Sequence, residues 1–373
     1  MYPNFITSKI IGIFPYKIKT LSFETSKPLF ILWTIILFVF CVYGLTLLYE
    51  YNLPEFKLEE TKIISYTFSL IYGIFVIVIS YILNGPRMYL LQTILNISSK
   101  LSQQSYRKLS KLIHAKDIFG FSFVLGIGLI YTIHQNIYHN IYKIPYEPFR
   151  TYITILAFQM DMLYINCVCV LKACFKEIND NLENLRDLMM NNIPKWICHK
   201  QRYPLLLIKL KALKKEHLMI SNAIQMLNVI FSPQLLGTVM SYFMFIIFDV
   251  YFQLIQWQDG ISFNLNKIYN GYFISFMLYY FTNMILIVWT CETCKNQTTK
   301  ICTTVHDMLN NANNMQINNE LHLFSLQIFH CRSIFSVKGL TVDATLLTVV
   351  SDQICILINN VYIIYINCFL DGK

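Results

Sequence analysis

Seven apolar blocks of this sequence are long enough to cross a bilayer as helices: 29–48, 63–83, 118–137, 152–174, 231–255, 272–291 and 346–370. A spanning helix needs ~20 mostly apolar residues, and an open backbone in hydrocarbon costs on the order of several kcal/mol for each unpaired group. These blocks are therefore expected to be helices, and the fold class an all-α integral membrane protein with seven transmembrane helices. The third and fourth blocks are the weakest: Gly120, Gly126 and Gly128 dilute one, and Gln159, Asp161 and Asn166 interrupt the other.

Composition agrees, with 55% hydrophobic and only 14% charged residues, against ~25% charged in soluble domains. No long polar stretch stands apart from the loops, so the chain reads as a single membrane domain, 1–373. Two of its inner segments, 175–230 and 292–345, are long and patterned. Ile178, Leu182, Leu185 and Met189 recur at helical spacing, as do Leu206, Leu210, Leu213 and Ile220, and Leu321, Phe324, Leu326 and Phe329 make an apolar face. Spans four and five should thus continue as helices into a cytoplasmic helical base.

Charge sets the expected orientation. Counting Lys172 with the loop it borders, 24 of the 30 Lys and Arg residues lie on the side of the N-terminus and 6 on the other. The positive-inside rule then predicts a multi-pass protein with a cytoplasmic N-terminus and, after seven spans, a C-terminus on the outer side. The net charge of +9 is a property of this topology and not of a nucleic-acid-binding face, since Lys and Arg do not alternate with aromatics on one domain surface. The sequons at Asn96 and Asn296 fall in inner loops, out of reach of glycosylation. Eleven cysteines, an odd number placed in spans or inner segments, predict no disulfide framework. The stretch from Met1 to Lys27 lacks the apolar core and small-residue cleavage site of a signal peptide.

Catalytic and metal chemistry find no support, so neither an enzyme nor a cofactor is expected. His134 and His139 are five apart and do not share a helix face, and Cys291-x-x-Cys294 has no second pair. Ionisable and amide groups inside spans are costly and tend to mark function. Asp161 and Gln159 on span four, Asp249 on span five, Tyr66 on span two, His134 on span three and Tyr279 on span six could wall a small-molecule pocket in the outer half of the bundle. Interhelical hydrogen bonding without a ligand explains each of them equally well.

The last block carries a polar stripe. Gln353, Asn360 and Asn367 are seven apart, close to two helical turns, so they fall on one line about 10 Å from one another. Such a stripe should avoid lipid, either packed against other helices or facing a water-filled path. In the second case Gln353, Leu357, Asn360, Ile364 and Asn367 would line a pore.

The segment ELHLFSLQIFHCRSIFSVKGLTVDATLL, Glu320 to Leu347, resembles the block before the last helix of insect gustatory receptors: Glu320, Leu321, Phe324, Ser325, Leu326, Gln327, His330, Gly339, Asp343, Leu346 and Leu347 occupy the expected places. Leu227 to Phe252 is similar to that family's fifth span, and Ile178 to Leu185 to its fourth-span extension. One departure is that the family's closing T-Y and Q-F pairs are replaced by Asp352-Gln353 and Asn359-Asn360. The resemblance implies a ligand-gated, non-selective cation channel that opens to a small-molecule tastant, with four subunits, identical or of related receptors, assembled in membrane lipid around their last helices. It implies the same orientation as the charge count, opposite to that of G-protein-coupled receptors. Two alternatives stay open: an odorant-receptor-like subunit needing a co-receptor, and a secondary transporter using Asp161 and Asp249.

Overall fold

The computed structural model describes residues 2–11, 16–18, 23–51, 60–138, 146–190, 199–258, 267–312, 314–331, 334–337, 340–353, 355–356 and 359. The fold is all-helical. Helices α1 (Tyr2–Ile11), α2 (Lys27–Tyr51), α3 (Glu60–Ile82), α4 (Asn84–Ser98), α5 (Gln103–Tyr138), α6 (Tyr146–Met190), α7 (His199–Gln258), α8 (Lys267–Asn310) and α9 (Met315–His330) follow in order. A further helix begins at 344 and is described to 353, with 355, 356 and 359 also helical. Two small antiparallel hairpins, β1 (Tyr16–Ile18) with β2 (Phe23–Thr25) and β3 (Ser336–Val337) with β4 (Leu340–Thr341), depart from a purely helical expectation. Each strand is at most three residues long, too short to show a period in the sequence.

Six of the described helices are long and apolar enough to cross a membrane, those containing the first six apolar blocks. The seventh block lies mostly outside the described residues. The spans differ in what surrounds them. On α2, Ile31, Ile35, Phe38, Val39 and Leu45 are exposed, as a lipid-facing helix requires. On α6, every residue from Leu156 to Leu171 is buried. The fourth apolar block is therefore the axis of the bundle, and its polar interruptions are tolerated because they meet protein and not lipid.

Close approach of α2, α3 and α6 is set by one ring. Phe149 is fully buried, and a Cβ added at Gly44 or at Gly73 would lie 2.7 Å from its edge atoms. Only hydrogen fits on both sides.

Long helices continue beyond the spans into a second layer. The α7 segment bearing Lys209, Lys211, Lys214, Lys215 and Glu216 is too highly charged to lie in hydrocarbon, and its apolar stripe packs on α6 and α9 in the main core with Leu182, Leu210, Leu213, Ile220, Leu321 and Phe324. Within this layer Lys214 pairs with Glu320, Thr304 donates to Asn179 at 3.0 Å, and Asn314 caps α9 through the backbone N–H groups of Gln316 and Ile317. The β3–β4 hairpin hands the chain from α9 to the last helix. There Asp343 accepts from the Thr345 hydroxyl and backbone N–H, which holds its carboxyl below the usual range.

Among the described residues, His217 is the one fully buried imidazole of this layer. It sits between Phe175 and Phe324, with ring centroids 5.6 and 5.5 Å away. Its Nδ1 accepts from the Gln327 amide at 3.3 Å, so Nε2 carries the proton. Burial pushes its pKa down from 6.5 to about 4.

Two outcomes are expected. Gly73→Ala forces the wedged Phe149 ring and costs about 1–3 kcal/mol, the usual range for an overpacked core; thermal unfolding of the purified protein measures it, and an unchanged melting temperature would refute the wedge. For His217, the unfolded chain binds a proton that the folded chain refuses, so stability is full above pH 6.5 and falls as pH drops from 6.5 towards 4. Melting temperatures between pH 7.5 and 4.5 should show this loss, and His217→Phe should flatten it.

Candidate functional site

The enclosed part of α6 carries Asp161 at the centre of the bundle, with no exposed surface. A carboxylate there must be fully hydrogen-bonded, and two neighbouring helices supply the donors. On α7, Gln234, Thr238 and Tyr242 recur every fourth residue and so share one face. Gln234 Nε2 and the Thr238 hydroxyl reach Asp161 Oδ1 at 3.4 and 3.3 Å. The Tyr242 hydroxyl and Asn283 Nδ2 of α8 reach Oδ2 at 3.1 and 2.9 Å.

The network extends in two directions. Gln234 Oε1 accepts from Arg87 Nη2 at 3.0 Å, and the same guanidinium reaches the Ser80 carbonyl at the α3–α4 bend. This buried arginine is thus joined to Asp161 through one amide. On the other side, the Tyr242 and Tyr279 hydroxyls lie 3.3 Å apart.

Tyr279 is where the network meets open space. A cavity of about 180 Å³ lies between α5, α6 and α8, walled by Val124, Ile127, Gly128, Thr154, Ile155, Phe276 and Tyr279. A smaller one of about 40 Å³ adjoins it, lined by Ser69, Tyr72, Ile153, Tyr242, Phe245 and Tyr280. Arg150, Thr154, Phe276 and Tyr279 belong to both, so the two form one site with an outer and an inner chamber. Arg150 lies over the Phe276 ring at 5.2 Å and feels the charge of Asp249. Aromatic walls with few directed polar groups suit a small organic molecule. Among the described residues no group of His, Cys, Asp and Glu could hold a metal ion.

The model of the family described as 7tm Chemosensory receptor matches residues 1–350. The chain belongs to that family. It is a family of receptors and not of enzymes. Two structures of the insect olfactory receptor OR5 from Machilis hrabei share the fold of this chemosensory receptor. One, in complex with eugenol, superposes with a TM-score of 0.68 at 9% identity over 97% of each chain. The other superposes with a TM-score of 0.71 at 11% identity over 96% of each chain. No curated protein sequence is significantly similar to the chain. The receptor family anticipated from the block Glu320 to Leu347 is thus confirmed.

The candidate residues named from the sequence fall in different places. Tyr279 walls both chambers, Asp161 lies behind it, and Asp249 reaches the site through Arg150. Gln159 points elsewhere: its Oε1 accepts from Thr7 of α1 at 3.1 Å, beside a separate cavity of about 130 Å³. Tyr66 packs against the satellite core of α2, α3 and the start of α6. His134 belongs to α5. Of the pore residues, Gln353 is exposed on the last helix, while Leu357, Asn360, Ile364 and Asn367 lie outside the described residues. Sequence reasoning missed Gln234, Thr238, Tyr242, Asn283 and Arg150. The first three were legible as a polar line of period four within an apolar span; Arg150 looked like an ordinary loop cation.

Asn283→Leu removes one of the two donors to Asp161 Oδ2 and should cost about 1–3 kcal/mol, as for other buried groups left unpaired. Thr7→Val, which breaks the part-buried contact with Gln159, should cost less. Comparing the two melting temperatures tests whether Asp161 is the hub.

Proposed function

We propose that this chemosensory receptor is a gustatory-type, ligand-gated, non-selective cation channel subunit of the plasma membrane, with a cytoplasmic N-terminus and an extracellular C-terminus. The observation that supports it best is the two-chamber aromatic cavity with Arg150 at its boundary, set in a chain of this family. A small-molecule tastant in that cavity would touch α5, α6 and α8 together; an insect olfactory receptor of the same fold has been solved in complex with eugenol. Only a ligand that binds the open conformation more tightly can shift the channel towards it. The pore would run between the last helices of four subunits, identical or related, lined by Gln353, Leu357, Asn360, Ile364 and Asn367. Rings of amides replace part of a cation's hydration without the grip of carboxylates, which fits weak selectivity. The gustatory assignment rests on the block Glu320 to Leu347. The N-terminal orientation rests on the bias of 24 to 6 in Lys and Arg.

An epitope tag at the C-terminus should label on intact cells; labelling only after permeabilisation refutes the orientation. Asp249→Asn, which removes the charge facing Arg150, and Tyr279→Phe, which removes a hydroxyl from both chambers, should each shift the ligand concentration for half-activation about tenfold, the size of one hydrogen bond. Conductance and ion selectivity should not change. Unaltered dose-response curves with normal surface expression would remove both residues from the site.

A further inference from the structure

The direction of each hydrogen bond around Asp161 follows from the chemistry of its partners. Arg87 can only donate, so Gln234 presents Oε1 to it and turns its amide N–H groups to Asp161. Asp161 Oδ1 then receives Gln234 and Thr238, and Oδ2 receives Asn283 and Tyr242. Among the described residues, its four hydrogen-bonding neighbours all have a hydrogen to give, which suits an ionised, acceptor-only group. Tyr242 has a single hydroxyl hydrogen, and the carboxylate takes it at 3.1 Å. Its oxygen is left as an acceptor, which the Asn283 amide already uses. The contact of 3.3 Å between the Tyr242 and Tyr279 hydroxyls must therefore run one way, with Tyr279 donating. That spends the only hydrogen Tyr279 has.

We propose that Asp161, acting through Tyr242, makes Tyr279 an acceptor only, and that the receptor consequently selects small, mainly apolar ligands bearing a hydroxyl or N–H donor. This rests on the reading of the two-chamber cavity as the ligand site. The chambers fit such a molecule: the inner one, about 40 Å³ and walled by both tyrosines, holds a single polar group, and the outer one, about 180 Å³, takes the apolar body. A ligand whose only polar atom is an ether oxygen has no hydrogen to give Tyr279 and is left to Arg150, which walls both chambers and already faces Asp249. Sites that hydrogen-bond a substrate hydroxyl discriminate strongly against analogues that lack it, because the buried partner is then left unpaired. Asp161 touches no ligand in this scheme; it is a positioning residue.

The isomers 4-propylphenol and 4-ethylanisole have the same atoms and nearly the same volume, but only the first has a donor. Calorimetric titration of both into the full-length receptor in lipid nanodiscs is the test. The phenol should bind about tenfold more tightly, the effect of one hydrogen bond. Tyr242→Phe frees the Tyr279 hydrogen, so the ether should gain affinity and the ratio should fall to about one. Should that variant not fold, Tyr279→Phe removes the acceptor and gives the same collapse. A change in stability alone would move both affinities together and leave their ratio intact. Thr154→Trp, which fills the junction of the chambers, should abolish binding of both. If it does, and the isomers bind equally to the natural receptor or the ratio survives Tyr242→Phe, the selection mechanism is wrong and the cavity stands. Binding of both isomers undiminished by Thr154→Trp, or of neither to the natural receptor, overturns the site and the inference with it.

Discussion

Polar groups inside hydrocarbon have to find their partners within the protein, and in this receptor that requirement is concentrated on one side chain. Among the described residues, Asp161 sits on the one helix whose central turns are enclosed on all sides. Its four donors come from α7 and α8, and Gln234 carries the connection on to Arg87 at the start of α4. The carboxylate thereby ties four helices together at one depth. Breaking a single member leaves a buried group unpaired, a cost greater than the net gain of most hydrogen bonds.

The same arrangement puts a rigid polar floor beneath a cavity with aromatic walls. Tyr279 belongs to both, because its ring lines the chambers while its hydroxyl meets Tyr242. Arg150 stands at the junction of the chambers, held over Phe276 and balanced by Asp249. The polar interior thus holds the helices together and also fixes which hydrogen-bonding groups the cavity can present.

Outside the bilayer the logic changes. There, ordinary amphipathic packing joins α7 to α9 around His217 and Phe324, and ion pairs such as Lys214 with Glu320 border the core. This layer meets the last helix through the β3–β4 hairpin, which is fastened to α7 by Asn228 donating to the Ile334 carbonyl at 2.7 Å.

The membrane class, the first six spans and the receptor family were all legible in the sequence, because length and apolarity in a span, and the spacing of a block such as Glu320 to Leu347, are properties of adjacent residues. The enclosure of α6 was hinted at by Gln159, Asp161 and Asn166, which no lipid-facing helix would carry. The sequence could not assign partners to these residues. Gln159 and Asp161 are two positions apart, so they leave the helix on different faces, and one meets Thr7 while the other meets Asn283. Arg150 and Phe276 come together across more than a hundred residues to make a pocket wall, and Phe149 is wedged between two glycines of other helices. Hydropathy determined which segments are helices because burial in lipid is a local demand. Only the tertiary structure decided which polar side chains meet, because that depends on how the helices are rotated and packed about α6.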